Sequence, residues 1–115
     1  MALAFSWLTP EFATAGQIST DDVAQAAAAG FRSIVNNRPD FEGGASQPTS
    51  QAIEQAANAA GLEYAFLPVQ SGYQSPEEIA QMRALLDKLP TPVLAYCRSG
   101  ARTANLFMAA KGKRR

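Results

Sequence analysis

The chain contains no histidine and only one cysteine. Without histidine it lacks the commonest general base and the commonest metal ligand. Zinc would need four N, S or O ligands at a spacing that nothing here offers, so neither metal nor cofactor is expected. A lone cysteine cannot close an internal disulfide. Charge of one sign is also missing: ten acidic and ten basic side chains cancel, leaving no overall field to attract nucleic acid or a membrane surface. No apolar run approaches the roughly 20 residues of a membrane span. The stretch "MALAFSWLTPEF" has neither the basic segment nor the long apolar core of a signal peptide. These absences lead to the expectation of a cytoplasmic protein that binds no nucleic acid and no membrane. With 115 residues, 47% of them apolar, the chain is long enough to bury a core without staples. Residues 1–112 read as one domain and 113–115 as a basic tail.

What is present is an alternation of short apolar runs and helical patterns. "LAFSWL" and "FATAGQI" read as extended pieces separated by Thr9-Pro10. Ser19 and Thr20 offer N-caps to "VAQAAAA", which Gly30 stops. "FRSIVNN" is a strand, followed by the polar loop "RPDFEGGASQP". "TSQAIEQAANAA" is a helix capped by Thr49 or Ser50, and "EYAFLPV" a strand. Ser75, Pro76 and the following acids mark the start of "SPEEIAQMRALLDKL". "PVLAY" is the last strand, and "TANLFMAAK" begins the last helix, with Gly112 past its end. Strands alternating with helices predict an α/β fold with a mostly parallel sheet covered on both faces. Trp7 is expected in the core.

In such a sheet, ligands bind beyond the carboxyl ends of the strands. Three polar segments reach that edge: "NNRPD", "QSGYQ" and "CRSGAR". Cys97 sits where an apolar run stops and a helix is about to begin. A cysteine kept for packing belongs inside the apolar run. At a helix N-terminus, free backbone N–H groups and the positive dipole end stabilise a thiolate. A nearby arginine adds to this, lowering a thiol pKa from about 8.5 toward roughly 3.5–7.5. Cys97 and Arg102 are therefore the expected catalytic residues. Arg98, Ser99, Gly100, Ala101 and Thr103 are expected to bind substrate: Gly100 lets the loop close tightly, and the hydroxyls of Ser99 and Thr103 donate to the sulfur or its cargo.

Strand, cysteine, tight loop, arginine and helix form a signature shared by cysteine-dependent phosphatases and rhodaneses. "LTPEFATAGQIS", "GFRSIVNNRPD", "LPVQSG" and "YCRSGARTANL", in that order, resemble the phosphatase-like domain of the beta-lactamase-hydrolase-like family, also called DUF442. The resemblance implies a three-layer fold similar to that of dual-specificity phosphatases. It also implies a metallo-beta-lactamase-type persulfide dioxygenase as partner or fusion, and hence sulfur-transfer chemistry. The last helix is shorter than the family suggests, as in a module of a longer fusion.

Loop length separates the two chemistries. Cysteine phosphatases carry five residues between Cys and Arg, usually with His before the Cys. Here four residues, Arg98 to Ala101, intervene, and Tyr96 stands in the His position. The shorter loop suits one terminal sulfur and matches the rhodanese active loop. Phosphatases also need a general acid for an alkoxide leaving group, whereas sulfite or a low-pKa thiolate leaves unprotonated. The expected function is therefore sulfur transfer from thiosulfate or glutathione persulfide to a thiol such as glutathione, through a Cys97 persulfide. The alternatives are a small phosphatase with Asp40 as acid and a catalytically silent anion- or persulfide-binding module. Asp40 also reads as a turn residue after Pro39. Arg98 reads equally as an anion-steering or a solvated side chain, Arg38 as pocket wall or ion-pair partner, and Tyr73 as site wall or partial core.

Overall fold

The computed structural model describes residues 3–70 and 72–112; the basic tail expected at 113–115 lies outside them. Nine elements follow one another: β1 (Ser6–Thr9), β2 (Phe12–Ala15), α1 (Thr20–Ala28), β3 (Ser33–Asn36), α2 (Ser50–Ala59), β4 (Glu63–Phe66), α3 (Pro76–Lys88), β5 (Val93–Tyr96) and α4 (Ala101–Gly112). α1, α2 and α3 start where the caps predict. Ser19 and Ser75 each form a reciprocal capping box, with Asp22 and Glu78 respectively, and Thr49 Oγ1 accepts from the Ala52 N–H at 3.2 Å. Each arrangement satisfies backbone donors that a helix start leaves free.

The sheet runs in the order β1-β2-β5-β3-β4. β1 and β2 form an antiparallel hairpin, and the other neighbours are parallel, so the sheet is mixed with a parallel centre. β5 lies in the middle, bonded to β2 on one side and β3 on the other. Its side chains alternate between two cores, as a strand's period of two requires. Leu94 and Tyr96 join Ile34, Val23 and Ile53 beneath α1 and α2. Val93 and Ala95 join Val35, Met82, Leu106 and Phe107 beneath α3 and α4. Helices thus cover both faces, giving the expected three layers. No helix among the described residues is long and apolar enough to cross a membrane.

Two expectations need correction. Trp7 is not core: it is 50% exposed. β1 is the edge strand, so Trp7 is covered on one side only, stacked on Phe31 at 5.1 Å and edge-on to Phe5 at 5.6 Å. The last helix begins two residues before "TANLF", at Ala101, and includes Gly112. Arg102 therefore projects from its first turn rather than from the loop.

Candidate active site

β5 delivers Cys97 to the carboxyl edge of the sheet, between β2 and β3. The Cys97 N–H donates to Ala15 O at 3.4 Å, and Tyr96 O accepts from the Asn37 N–H at 2.8 Å. The loop is then tied to the end of β2, because Arg98 O accepts from the Gln17 N–H at 3.2 Å. That approach leaves no room at Gly16, where a Cβ would lie 3.0 Å from Arg98 O. Gly100 turns the loop with φ of +96°, a conformation glycine adopts without penalty. The turn aims the Gly100 N–H at Cys97 Sγ, 3.1 Å away.

The thiol is completely buried. Burial is the strongest influence on it and pushes its pKa up. Opposing this are the backbone N–H groups of Thr103 and Ser99, the Thr103 hydroxyl and the Gly100 N–H, which together bring it below the ordinary thiol value. The Thr103 hydroxyl also donates to Asn37 Oδ1 at 2.9 Å. A hydroxyl carries one proton, so it serves either Asn37 or the sulfur at a given moment. Asn37 is itself oriented by donating from Nδ2 to Leu67 O at 2.9 Å. The Ser99 hydroxyl does not point to the sulfur: it accepts from the Ala101 N–H at 3.4 Å, at the start of α4.

Arg102 Nη1 and Nη2 donate to Glu42 Oε2 and Oε1, both at 2.8 Å, and Nη1 also reaches Val69 O at 3.0 Å. Arg38 Nε binds the same Oε1 at 2.9 Å, and its Nη1 binds Gln17 Oε1 at 3.0 Å. The Arg102 hydrogen bonds, assisted by Arg38 and only partly opposed by burial, hold the Glu42 carboxyl at about 2. An open cleft of about 820 Å³ is lined by Arg38, Glu42, Gly43, Arg98, Ser99 and Arg102, with Ala101 completing the wall.

The expected residues are distributed unevenly around this cleft. Cys97, Arg98, Ser99, Gly100, Ala101, Arg102 and Thr103 form one continuous turn into α4. Arg98 is exposed at the mouth, and Arg38 both lines the cleft and pairs with an acid. Asp40 lies outside the lining: its Oδ1 accepts from the Ser50 N–H at 2.7 Å, at the start of α2. Tyr73 is 65% exposed and borders a smaller, neighbouring cleft, so it is not partial core. Tyr96 buries its ring under α1 and α2. Glu42, Asn37 and Gln17 were not singled out by the sequence. The only trace of Glu42 was an acid four residues after Arg38 in a glycine-rich loop.

A parallel-centred sheet with a buried cysteine cradled by amides at the start of a helix, and an arginine in the first turn of that helix, defines the class of phosphatase-like domains. The chain belongs to the family described as the phosphatase-like domain of beta-lactamase hydrolase-like protein, whose model matches residues 4–113. A beta-lactamase hydrolase-like protein of Agrobacterium fabrum is 35% identical over 94 residues, which span 82% of this chain but 22% of that protein. The chain thus matches less than a quarter of the length of that curated relative. A candidate phosphatase from Neisseria meningitidis superposes with a TM-score of 0.81 at 32% identity, covering 89% of this chain and 72% of that one. The core catalytic domain of a PP-IP phosphatase from S. cerevisiae shares the fold, with a TM-score of 0.71 at 15% identity over 92% of this chain and 64% of that one.

Proposed function

We propose that this phosphatase-like domain is a sulfurtransferase of the rhodanese type. The observation that carries this reading is that both carboxylates of the facing segment, Asp40 and Glu42, already have partners. Asp40 caps the start of α2, and Glu42 is held as an anion, at about 2, by two guanidinium groups. A reaction that expels an alkoxide needs an acid there; one that expels sulfite or a thiolate does not. The four-residue spacing between Cys97 and Arg102 supports the same reading.

In this mechanism the Cys97 thiolate attacks the outer sulfur of thiosulfate or of an organic persulfide. A bond forms between Sγ and that sulfur, the old sulfur–sulfur bond breaks, and sulfite or a thiolate departs with the electron pair. The loop N–H groups hold the resulting Cys97 persulfide. An acceptor thiolate such as glutathione then attacks the outer sulfur and restores the Cys97 thiolate. Arg102 fixes the loop to Glu42 and Val69, and Arg98 draws the donor to the mouth. A metallo-beta-lactamase-type persulfide dioxygenase, fused or separate, is the proposed consumer of the product. The greater length of the curated relative supports such an arrangement.

The second reading, a small cysteine-dependent phosphatase, is favoured by the family description and by the relative from Neisseria meningitidis. There Cys97 attacks phosphorus, Arg102 grips the phosphoryl oxygens, and Asp40, whose Oδ1 accepts from the Ser50 N–H, acts as acid. Intact mass after separate incubation with thiosulfate, an organic persulfide and a phosphotyrosine-like ester distinguishes the two. Gain of one sulfur on Cys97 is expected. A trapped phosphoryl group would transfer the assignment to the phosphatase, and no adduct at all would leave a binding module.

A further inference from the structure

The arginine of the loop already has an anion. Both terminal nitrogens of Arg102 donate to the two oxygens of Glu42, at 2.8 Å each, in the parallel geometry by which guanidinium also grips phosphate. Arg38 adds a third bond at 2.9 Å. The segment that presents Glu42 is stapled in place: the Gly43 N–H donates to Gln47 Oε1 at 2.7 Å, and Gln47 Nε2 donates to Pro39 O at 2.9 Å. At Gly43 a Cβ would lie 2.6 Å from Arg38 Nη2, so a larger residue there would make that guanidinium shift. Just before Glu42, Phe41 adopts a left-handed φ of 66°, which costs a bulky residue about 1–3 kcal/mol. Strain at this position is offset by the ion pairs that it makes reachable.

Glu42 therefore neutralises part of the positive charge that Arg38, Arg98 and Arg102 bring to the cleft. The guanidinium groups of Arg38 and Arg102 both bind Glu42, and a doubly charged ligand would have to displace the carboxylate to take the paired Nη1 and Nη2 of Arg102. We propose that Glu42 is a specificity-determining residue, an internal anion that holds the fork of Arg102. It turns the cleft away from dianions such as thiosulfate and phosphate monoesters and toward the outer sulfur of an organic persulfide, which carries at most one negative charge and reacts in its protonated form, R–S–SH. In that reaction Sγ of Cys97 bonds to the outer sulfur, which keeps its proton, and R–S⁻ leaves with the electrons of the broken bond. The donor assignment rests on the sulfur-transfer reading; the role of Glu42 as competitor for the fork does not.

The test uses the full chain and measures how inorganic phosphate slows alkylation of Cys97 by neutral iodoacetamide. Glu42→Gln is expected to be protected at phosphate concentrations about tenfold or more below those needed for the wild type, the effect of freeing one charged hydrogen-bonding partner. Glu11→Gln removes the same charge at the opposite end of the sheet and is expected to match the wild type. Equal protection of wild type and Glu42→Gln, or an equal shift in Glu11→Gln, overturns the proposal. If Glu42→Gln does not fold, Glu42→Asp, too short to bridge both guanidinium groups, must shift in the same direction. A gain in anion binding cannot come from unfolding. A second arm compares donors by intact mass: the wild type is expected to gain sulfur from an organic persulfide at lower concentration than from thiosulfate, and Glu42→Gln to narrow that gap. Equal use of both donors by the wild type overturns the donor assignment. Gain from neither donor sinks the sulfur-transfer reading, and phosphate protection still decides the role of Glu42.

Discussion

Two loops face each other across the cleft, and they are built by opposite means. The Cys97–Arg102 loop is short and backbone-made: amides point at a buried sulfur, and a glycine at φ +96° makes the turn. The segment from Arg38 to Gln47 is longer, largely exposed, and held by side chains: Glu42 between two arginines, Gln47 bridging the turn, and Asp40 on Ser50. The first loop supplies the nucleophile's environment and the second decides what charge the first presents. The cradle of amides is constrained at its turn, where Gly100 has a positive φ, whereas a staple made of side chains can be retuned one residue at a time.

The sharpest break in this contrast is Cys97→Ser. A hydroxyl cannot form a persulfide, so intact mass should detect no sulfur gain at any donor concentration. Next is Gly100→Ala, which forces a side chain into a left-handed turn. A loss of about 1–3 kcal/mol in urea unfolding is expected, together with slower alkylation of Cys97 as the amides swing away from the sulfur.

Acid should act on the facing loop instead. The Glu42 pKa is lowered on folding, from 4.5 to about 2. Its contribution is therefore complete above the unfolded value and lost as pH falls from about 4.5 through about 2. Denaturant midpoints measured down this range should fall more steeply for the wild type than for Glu42→Gln. The smallest effect is expected of Asp40→Asn. Its amide oxygen still accepts from the Ser50 N–H, so stability should change by less than about 1 kcal/mol, and sulfur transfer should continue. A phosphatase deprived of its acid would instead lose roughly 10²–10⁴ in rate, and such a loss in a folded variant would reverse the assignment.

The same contrast explains what could be read in the sequence. Cys97, Gly100 and the caps at Ser19, Thr49 and Ser75 act on backbone groups within a few residues, so local order reveals them. The strand–helix alternation is legible for the same reason, and with it the three layers. Glu42 meets Arg102 from 60 positions away, and Asn37 meets Thr103 from 66, pairings that only the folded sheet creates. Trp7 misleads because composition marks an apolar strand but not whether that strand lies at the edge. The early start of α4 was missed because Ser99 and Gly100 look like loop residues while serving as its entrance.

β5 follows the other four strands in the chain, yet it lies between β2 and β3, pairing Val93 with both Phe12 and Ser33. In the folded sheet the pairs β1–β2 and β3–β4 are joined only through β5. Closing those long connections carries an entropic cost before any contact rewards it. The strand that completes the core is also the one that carries Cys97 to its cradle. The position of the sulfur in its cradle thus depends on the same strand pairing that joins the two halves of the sheet.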